Sequence, residues 1–203
     1  PVDRRQRQMC IRDSLKDLSA GDLENVGEIS YSNLGYGLLG LVLGRIWDQS
    51  FAKLSEERIF KPLGMESSFV QLKLANRPAK LVSRIATPHQ AGKEVPHWED
   101  TEATCGAGAI LSSAQDLLTF AQAHWNPETP AGLAASMKII TEKRRDGRSL
   151  GWFLHEDGSL WHGGGTGGFR SDLTIHVENQ TAKVKLMNSG GALTAQELSL
   201  IHI

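Results

Sequence analysis

The sequence predicts an α+β fold in which helices come first and an antiparallel sheet closes the chain. Apolar residues recur at helical spacing from Leu34 to Ile46 and again from Leu117 to Ala121. From Ser149 onward the period switches to two, in short runs separated by turn residues. Strands do not alternate with helices in the manner of a parallel βαβ sheet, and there are no internal repeats.

Both ends stand apart from this pattern. Arg4 to Asp13 reads RRQRQMCIRD, a translation of a transposase adapter used in sequencing libraries, and Leu198 to Ile203 reads LSLIHI, a translation of the reverse complement of the same adapter's end. Residues 1–13 and 198–203 are therefore expected to be non-native, with 14–197 as the natural portion of a gene that continues beyond both. The residues up to Asp13 carry Arg4, Arg5, Arg7 and Arg12 against Asp3 and Asp13, so setting them aside moves the formal charge from −1 to −3. No basic footprint for nucleic acid remains. Cys10 leaves with the adapter, and Cys105 alone gives neither an intrachain disulfide nor a thiolate cluster for a metal. No apolar run approaches the roughly 20 residues of a membrane span. What is left is one domain, or a large piece of one.

Taken in order, residues 14–30 are polar, with a turn at Ala20-Gly21-Asp22. Leu34, Leu38, Leu39, Leu41, Val42 and Ile46 predict a helix in spite of Gly35, Gly37, Gly40 and Gly44, each of which lowers helicity by nearly ~1 kcal/mol relative to alanine. A helix kept at that cost is expected to be buried and closely packed. Ser50 caps a second helix, Phe51 to Phe60, ended by Pro62-Leu63-Gly64. Gln71 to Asp100 reads as a long irregular excursion with one short strand around Leu81 to Ile85, and Cys105 to Ile110 as a small-residue turn. Ser112 and Ser113 start a third helix, with Gln115 and Asp116 at capping-box spacing, which ends before Pro127. The meander runs Leu150 to His155, a turn at Glu156-Asp157-Gly158, Leu160 to His162, Leu173 to Val177, a turn at Asn179-Gln180, and Ala182 to Met187.

Inside that meander lies Trp161 to Ser171, WHGGGTGGFRS, where glycines crowd beside a side chain that titrates near neutrality. Glycine lets a ligand approach the main chain, whose N–H groups can then face a developing negative charge. The plainer reading is a glycine-rich connection between strands. Two short motifs compete. Gly147-Arg148-Ser149-Leu150-Gly151 matches GxSxG and His162 to Gly165 matches HGGG, but in an α/β-hydrolase the HGGG loop precedes the nucleophile elbow, and the elbow opens a helix. Ser50-Phe51-Ala52-Lys53 matches SxxK, yet Lys53 sits among Glu56, Glu57, Arg58 and Lys61, a solvated helix face, with Ser50 as its cap.

Four segments in order, YSNLGYGLLGLVLGRI, ERIFKPLGM, GAGAILSSAQDLLTFAQAH and LGWFLHEDGSLWHGGGTGGFRS, resemble the serine β-lactamase-related family of class C β-lactamases, D-alanyl-D-alanine carboxypeptidases and esterases. The resemblance implies a β-lactamase/transpeptidase-like α+β fold, truncated at both ends. It implies an acyl-enzyme serine hydrolase, with no cofactor and no metal, acting on a small-molecule or peptide substrate: D-Ala-D-Ala-type peptides, carboxyl esters or β-lactams. It also implies a bacterial periplasm or cell-envelope location. Tyr31 matches the tyrosine that exchanges a proton with the nucleophilic serine and the leaving group, and Asn33 the amide that helps hold the lysine and the substrate's acyl side chain. His162 stands at the basic first position of the third motif, on an edge strand lining the cleft. Gly163 and Gly164 complete that motif, and Gly165 is similar to the second oxyanion donor.

A free tyrosine titrates near 10, so Tyr31 acts as a base only beside cations, which His162 and the family's lysine are expected to supply. The plain alternatives are a buried aromatic Tyr31 and a turn histidine. The chain departs from the pattern in two ways. Gly163 replaces a threonine or serine whose hydroxyl could hold a substrate carboxylate, and the family's SxxK serine and lysine, which lie upstream of the tyrosine, have no match before Tyr31. The nucleophile is therefore expected outside this sequence. A non-catalytic relative that only binds peptides or partners is the alternative function.

Overall fold

The computed structural model describes residues 30–76, 79–144 and 148–190, together with the backbone of 201–202. The turn expected at Ala20-Gly21-Asp22, residues 1–13 and Gly147 lie outside the described residues, as does most of 198–203. The architecture is α+β. Helix α1 (Asn33–Ile46) is followed by α2 (Phe51–Ser55), a π-helical turn (Glu56–Phe60) and α3 (Lys61–Leu63). Strand β1 (Phe69–Val70), a 3₁₀ turn (Leu74–Asn76), α4 (Ala79–Val82) and the small hairpin β2 (His89–Gln90) and β3 (Lys93–Glu94) come next. Then follow α5 (Cys105–Gly108), β4 (Ile110–Leu111), α6 (Ala114–Gln122) and α7 (Ala131–Thr141). The chain ends in β5 (Phe153–Leu154), β6 (Leu160–Thr166), β7 (Phe169–His176), β8 (Thr181–Met187) and β9 (Ile201–His202). The last five form one antiparallel sheet in chain order, and β1 pairs with β4 apart from it.

Alternation along the meander points one row of side chains inward. Leu160, His162, Leu173, Ile175 and Val184 share one face by register, and Leu160 and Ile175 are fully buried with Leu118, Ala121 and Trp152. Burying each such aliphatic side chain stabilises the fold by about 1.5–3 kcal/mol. Helix α6 covers this face as its apolar spacing predicts. A second core gathers Phe60, Met65, Val70, Cys105 and Ala109 under α2 and α5.

Ser113 caps α6 by accepting from the Asp116 N–H at 3.1 Å, but the Asp116 carboxylate does not close a capping box. It accepts instead from the Ser67 N–H at 2.8 Å and the Ser68 hydroxyl at 2.7 Å, tying the helix start to the segment before β1. The second helix runs past its expected end. The widened π turn carries the chain through Pro62, and Gly64, at φ +71, closes it. Leu81 to Ile85 is no strand. Among the described residues no strand pairs with it, and its backbone groups bond locally, with Ser83 N–H donating to the Ala79 carbonyl at 2.9 Å. Cys105 to Gly108 forms one helical turn and Ile110 enters a strand, where a turn was expected throughout. The expected strand from Leu150 to His155 shrinks to Phe153–Leu154, because Gly151 at φ +82 breaks the extended run. Helix α7 had no counterpart in the sequence reading.

The glycines of α1 are packed, but the helix is not buried. A Cβ on Gly37 would stand 2.4 Å from the Ala103 carbonyl oxygen, and one on Gly40 would stand 3.1 Å from Cα of Gly106. Those two glycines are the buried residues of α1, while Leu34, Leu39, Val42 and Ile46 are each about half or more exposed, from 49% to 67%. Among the described residues no helix is long and apolar enough to cross a membrane.

Candidate active site

Tyr31, Ser32 and Asn33 form the N-terminal start of α1. The Ser32 hydroxyl caps the helix by accepting from the Gly35 N–H at 3.0 Å. The Tyr31 hydroxyl donates to Oδ1 of Asn33 at 2.9 Å, and its ring is 57% exposed. The buried-aromatic alternative for Tyr31 is thereby set aside. This phenol stands at the surface with its proton directed at a neighbouring amide.

The glycine run extends β6 rather than forming a connection between strands. His162, Gly163, Gly164 and Gly165 pair with Leu173, Asp172, Ser171 and Arg170 of β7, and the turn comes only at Gly167-Gly168. Neighbouring side chains fill the space beside these glycines, and only at Gly163 is the neighbour a rigid ring. A Cβ on Gly163 would meet the Trp161 ring at 2.9 Å, one on Gly164 the Ser171 hydroxyl at 2.6 Å, and one on Gly165 the Arg170 guanidinium at 2.9 Å. On the other side β5 pairs with β6 only at Leu160 and Trp161. From His162 to Thr166 the strand therefore has a partner on one side among the described residues, leaving the opposite edge as open backbone.

His162 is half-buried on the inward face. Its ring meets Trp152 edge-on, with centroids 6.5 Å apart, and lies tilted to Phe153 at 6.1 Å. Burial pushes its pKa down from the ordinary 6.5, against a smaller opposing hydrogen bond with the Gly163 backbone. The imidazole is thus mainly neutral at pH 7. Burial therefore works against the cation expected from His162 beside Tyr31, since a histidine on the core face of a sheet loses hydration that favours its charged form.

The structure joins Tyr31 to Asn33, and His162 to the three glycines, but no hydrogen bond or ring contact links the two groups directly among the described residues. The nearest connection is indirect. The Tyr36 hydroxyl of α1 lies 3.7 Å from where a Cβ on Gly151 would stand, and the next residue, Trp152, packs on His162. Neither Tyr36 nor Trp152 was singled out by sequence, because a lone aromatic carries no motif until its neighbours are known.

The competing motifs resolve locally. Ser50 caps α2 by accepting from the Lys53 N–H at 3.2 Å, and the exposed Lys53 ammonium pairs with Glu57 at 3.7 Å. Ser149 sits in a tight bend before β5, its N–H donating to the Trp152 carbonyl at 3.1 Å, with no helix following. Burial, with Glu102 and Asp100 adding to it, pushes the Cys105 thiol up to about 12, so it is no nucleophile at neutral pH. A cavity of about 650 Å³ opens between Ser50, Lys53, Phe60, Met65, Ser68 and Leu81, and none of Tyr31, Asn33, His162 and the three glycines after it lines it. No three His, Cys, Asp or Glu residues are grouped to hold a metal among the described residues.

A helical region bearing a tyrosine at one helix start, beside an antiparallel sheet with a glycine-rich open-edged strand, is the fold of the β-lactamases and D-alanine carboxypeptidases. The chain belongs to the Beta-lactamase family, whose model matches residues 14–200. It is 26% identical over 186 residues to penicillin-binding protein 4 of Amycolatopsis lactamdurans, covering 82% of this chain and 49% of that protein. It is 25% identical over 174 residues to protein flp of Staphylococcus aureus, covering 79% of this chain and 33% of that one. The chain thus spans half or less of these relatives. Among solved structures it is similar to the D-alanine carboxypeptidase AmpC of Burkholderia cenocepacia, with TM-score 0.77, 21% identity, and 96% of this chain and 64% of that one covered. It is likewise similar to a class C β-lactamase, with TM-score 0.77, 17% identity, and 94% and 59% covered.

Proposed function

We propose that this chain is the tyrosine- and histidine-bearing part of a serine hydrolase that works through an acyl-enzyme on amide or ester bonds. Its substrate class is D-Ala-D-Ala-type peptides, carboxyl esters and β-lactams. The observation that supports this best is the open-edged strand His162–Gly165, within a chain that also presents an exposed, hydrogen-bonded phenol at the start of α1. Tyr31 exchanges a proton with the nucleophile and leaving group, Asn33 holds the acyl side chain, and a backbone N–H at Gly165 faces the oxyanion. His162, being mainly neutral, serves as a hydrogen-bonding imidazole, and the cation beside Tyr31 comes from the lysine of an upstream SxxK. Gly163 and Gly164 let a substrate lie against the strand, though without a hydroxyl at Gly163 a carboxylate is held less firmly, which favours esters over β-lactams.

The nucleophile lies upstream of Ser14 in this reading, and residues 1–13 and 198–203 are adapter-derived. Resequencing the locus without an adapter tests both points: an SxxK on a helical pattern is expected upstream, and finding the RRQRQMCIRD codons in the genome would sink the second. In the longer protein, Tyr31→Phe is expected to lower acylation and deacylation of an activated ester by about 10² to 10⁴, the scale of general acid–base catalysis. Near-normal turnover would remove Tyr31 from the mechanism. The second reading is a penicillin-binding-like relative that binds peptides or partners without catalysis. Failure of the longer protein to be labelled by a serine-reactive phosphonate would select it.

A further inference from the structure

We infer that His124 is a positioning residue for His162, acting through the indole of Trp152. The three rings form a row of edge-to-face contacts. His124 meets Trp152 with centroids 6.3 Å apart at 81°, and Trp152 meets His162 at 6.5 Å and 87°. Such contacts fix ring planes as well as separations, because the positive edge of one ring seeks the negative face of the next.

The first ring of the row is anchored by backbone. Nδ1 of His124 lies 3.0 Å from the carbonyl oxygen of Ala121 and 3.2 Å from that of Phe120, at the C-terminal end of α6. A carbonyl can only accept, so the proton resides on Nδ1 and the N–H donates to both. Phe120 closes another side of the imidazole edge-on at 5.4 Å. Among the described residues Nε2 is buried with no hydrogen-bond partner, an arrangement that fold stability alone does not favour. Burial also keeps the ring neutral, so it can lie against an indole.

The middle ring has little freedom. Trp152 is 9% exposed, and Gly151 at φ +82 turns the chain so that the indole enters the core between the two histidines. His162 is then held between Trp152 and Phe153, with Leu173 of β7 opposite it in register. Among the described residues, the titratable and charged groups placed near this row include His124 from α6, Tyr36 from α1 beside Gly151, and Arg148, whose guanidinium lies 5.2 Å from the centre of the Phe153 ring. Removing the His124 ring frees Trp152 to tilt and lets water reach His162.

The functional meaning of this row rests on the proposed site role of His162, but its test does not read turnover. In the 203-residue chain, kept dispersed by Leu39→Glu/Val42→Lys on the exposed side of α1, NMR is expected to show contacts from His124 ring protons to Trp152, and from Trp152 to His162. In His124→Ala and His124→Gln the His162 titration midpoint should rise toward about 6.5, the unperturbed value, and the ring-current displacement of its Hε1 and Hδ2 resonances should be lost. His124→Phe, which restores a ring, should restore the displacement. Unchanged His162 resonances and midpoint in the first two variants would overturn the inference, as would failure of the phenylalanine to restore them. Should the variants not fold, absence of the ring-to-ring contacts in the chain with His124 in place overturns it as well. A chain that hydrolyses nothing could still hold His162 this way, so failure of the hydrolase reading and failure of the row are separate results.

Discussion

Two half-buried or buried imidazoles, His124 and His162, give the described residues a pH dependence just below neutrality. Burial lowers the pKa of both, so the folded state resists protons that the unfolded chain accepts near 6.5. The stability they contribute is complete above about 6.5 and is lost as pH falls through the lower folded values. The urea midpoint is expected to drop between about pH 7 and pH 5, and to drop less in His124→Phe/His162→Phe, where nothing titrates at either position. An equal slope in the double variant would assign the acid sensitivity elsewhere. At the same scale, Ser50→Ala should cost about 1 kcal/mol as a lost cap. It should leave phosphonate labelling of the longer protein intact, whereas loss of labelling would make Ser50 the nucleophile.

At the scale of elements, the contact between α1 and α5 explains why a helix tolerates so many glycines. Gly37, Gly40 and Gly44 lie on the side where α1 meets the Ala103–Gly106 backbone and the Gln49–Phe51 segment, and a Cβ on Gly106 would itself stand 2.4 Å from the Tyr36 carbonyl oxygen. The conformational cost of glycine is offset by an approach that no larger residue permits. Gly37→Ala should therefore destabilise the chain by about 1–3 kcal/mol through overpacking. Gly35→Ala, whose Cβ would meet only the Ser32 side chain at 3.4 Å, should be neutral or stabilising by up to about 1 kcal/mol. Denaturation of the two variants side by side checks this, and equal effects would show that backbone entropy rather than packing decides.

For the whole molecule, the decisive feature is that α1 turns its glycines inward and Leu39, Val42 and Ile46 outward. Such a stripe on a surface helix ordinarily packs against another element. In the proposed reading, upstream sequence covers it and supplies the nucleophile at the same time. The 203-residue chain is expected to bind a hydrophobic dye, to self-associate, and to lack hydrolase activity and probe labelling. Leu39→Glu/Val42→Lys should reduce the association, and the upstream sequence should abolish it while restoring labelling. A monomeric, dye-silent chain that a serine probe labels would place the nucleophile inside these residues.

Much of this fold is readable one residue at a time, because some signals act within three or four positions. The caps Ser50 and Ser113, the turn glycines Gly64 and Gly158, and the two-residue period of β6 to β8 all act within that range. The ordered segments around Tyr31 and His162 were legible as a family resemblance rather than through local physics, and they pointed to the family to which the chain belongs. What the tertiary structure decided depends on partners distant in sequence. Residues 81–85 pair with no strand among the described residues and become helical and turn-like, while the glycine run has β7 beside it and becomes strand. The exposed side of α1 was misjudged because periodicity reveals that a helix has an apolar stripe, not which element covers it. The state of His162 was likewise beyond the sequence: its pKa is lowered by burial, with Trp152 and Phe153 against the imidazole, and a pKa follows the solvent that a fold removes rather than the letters beside it.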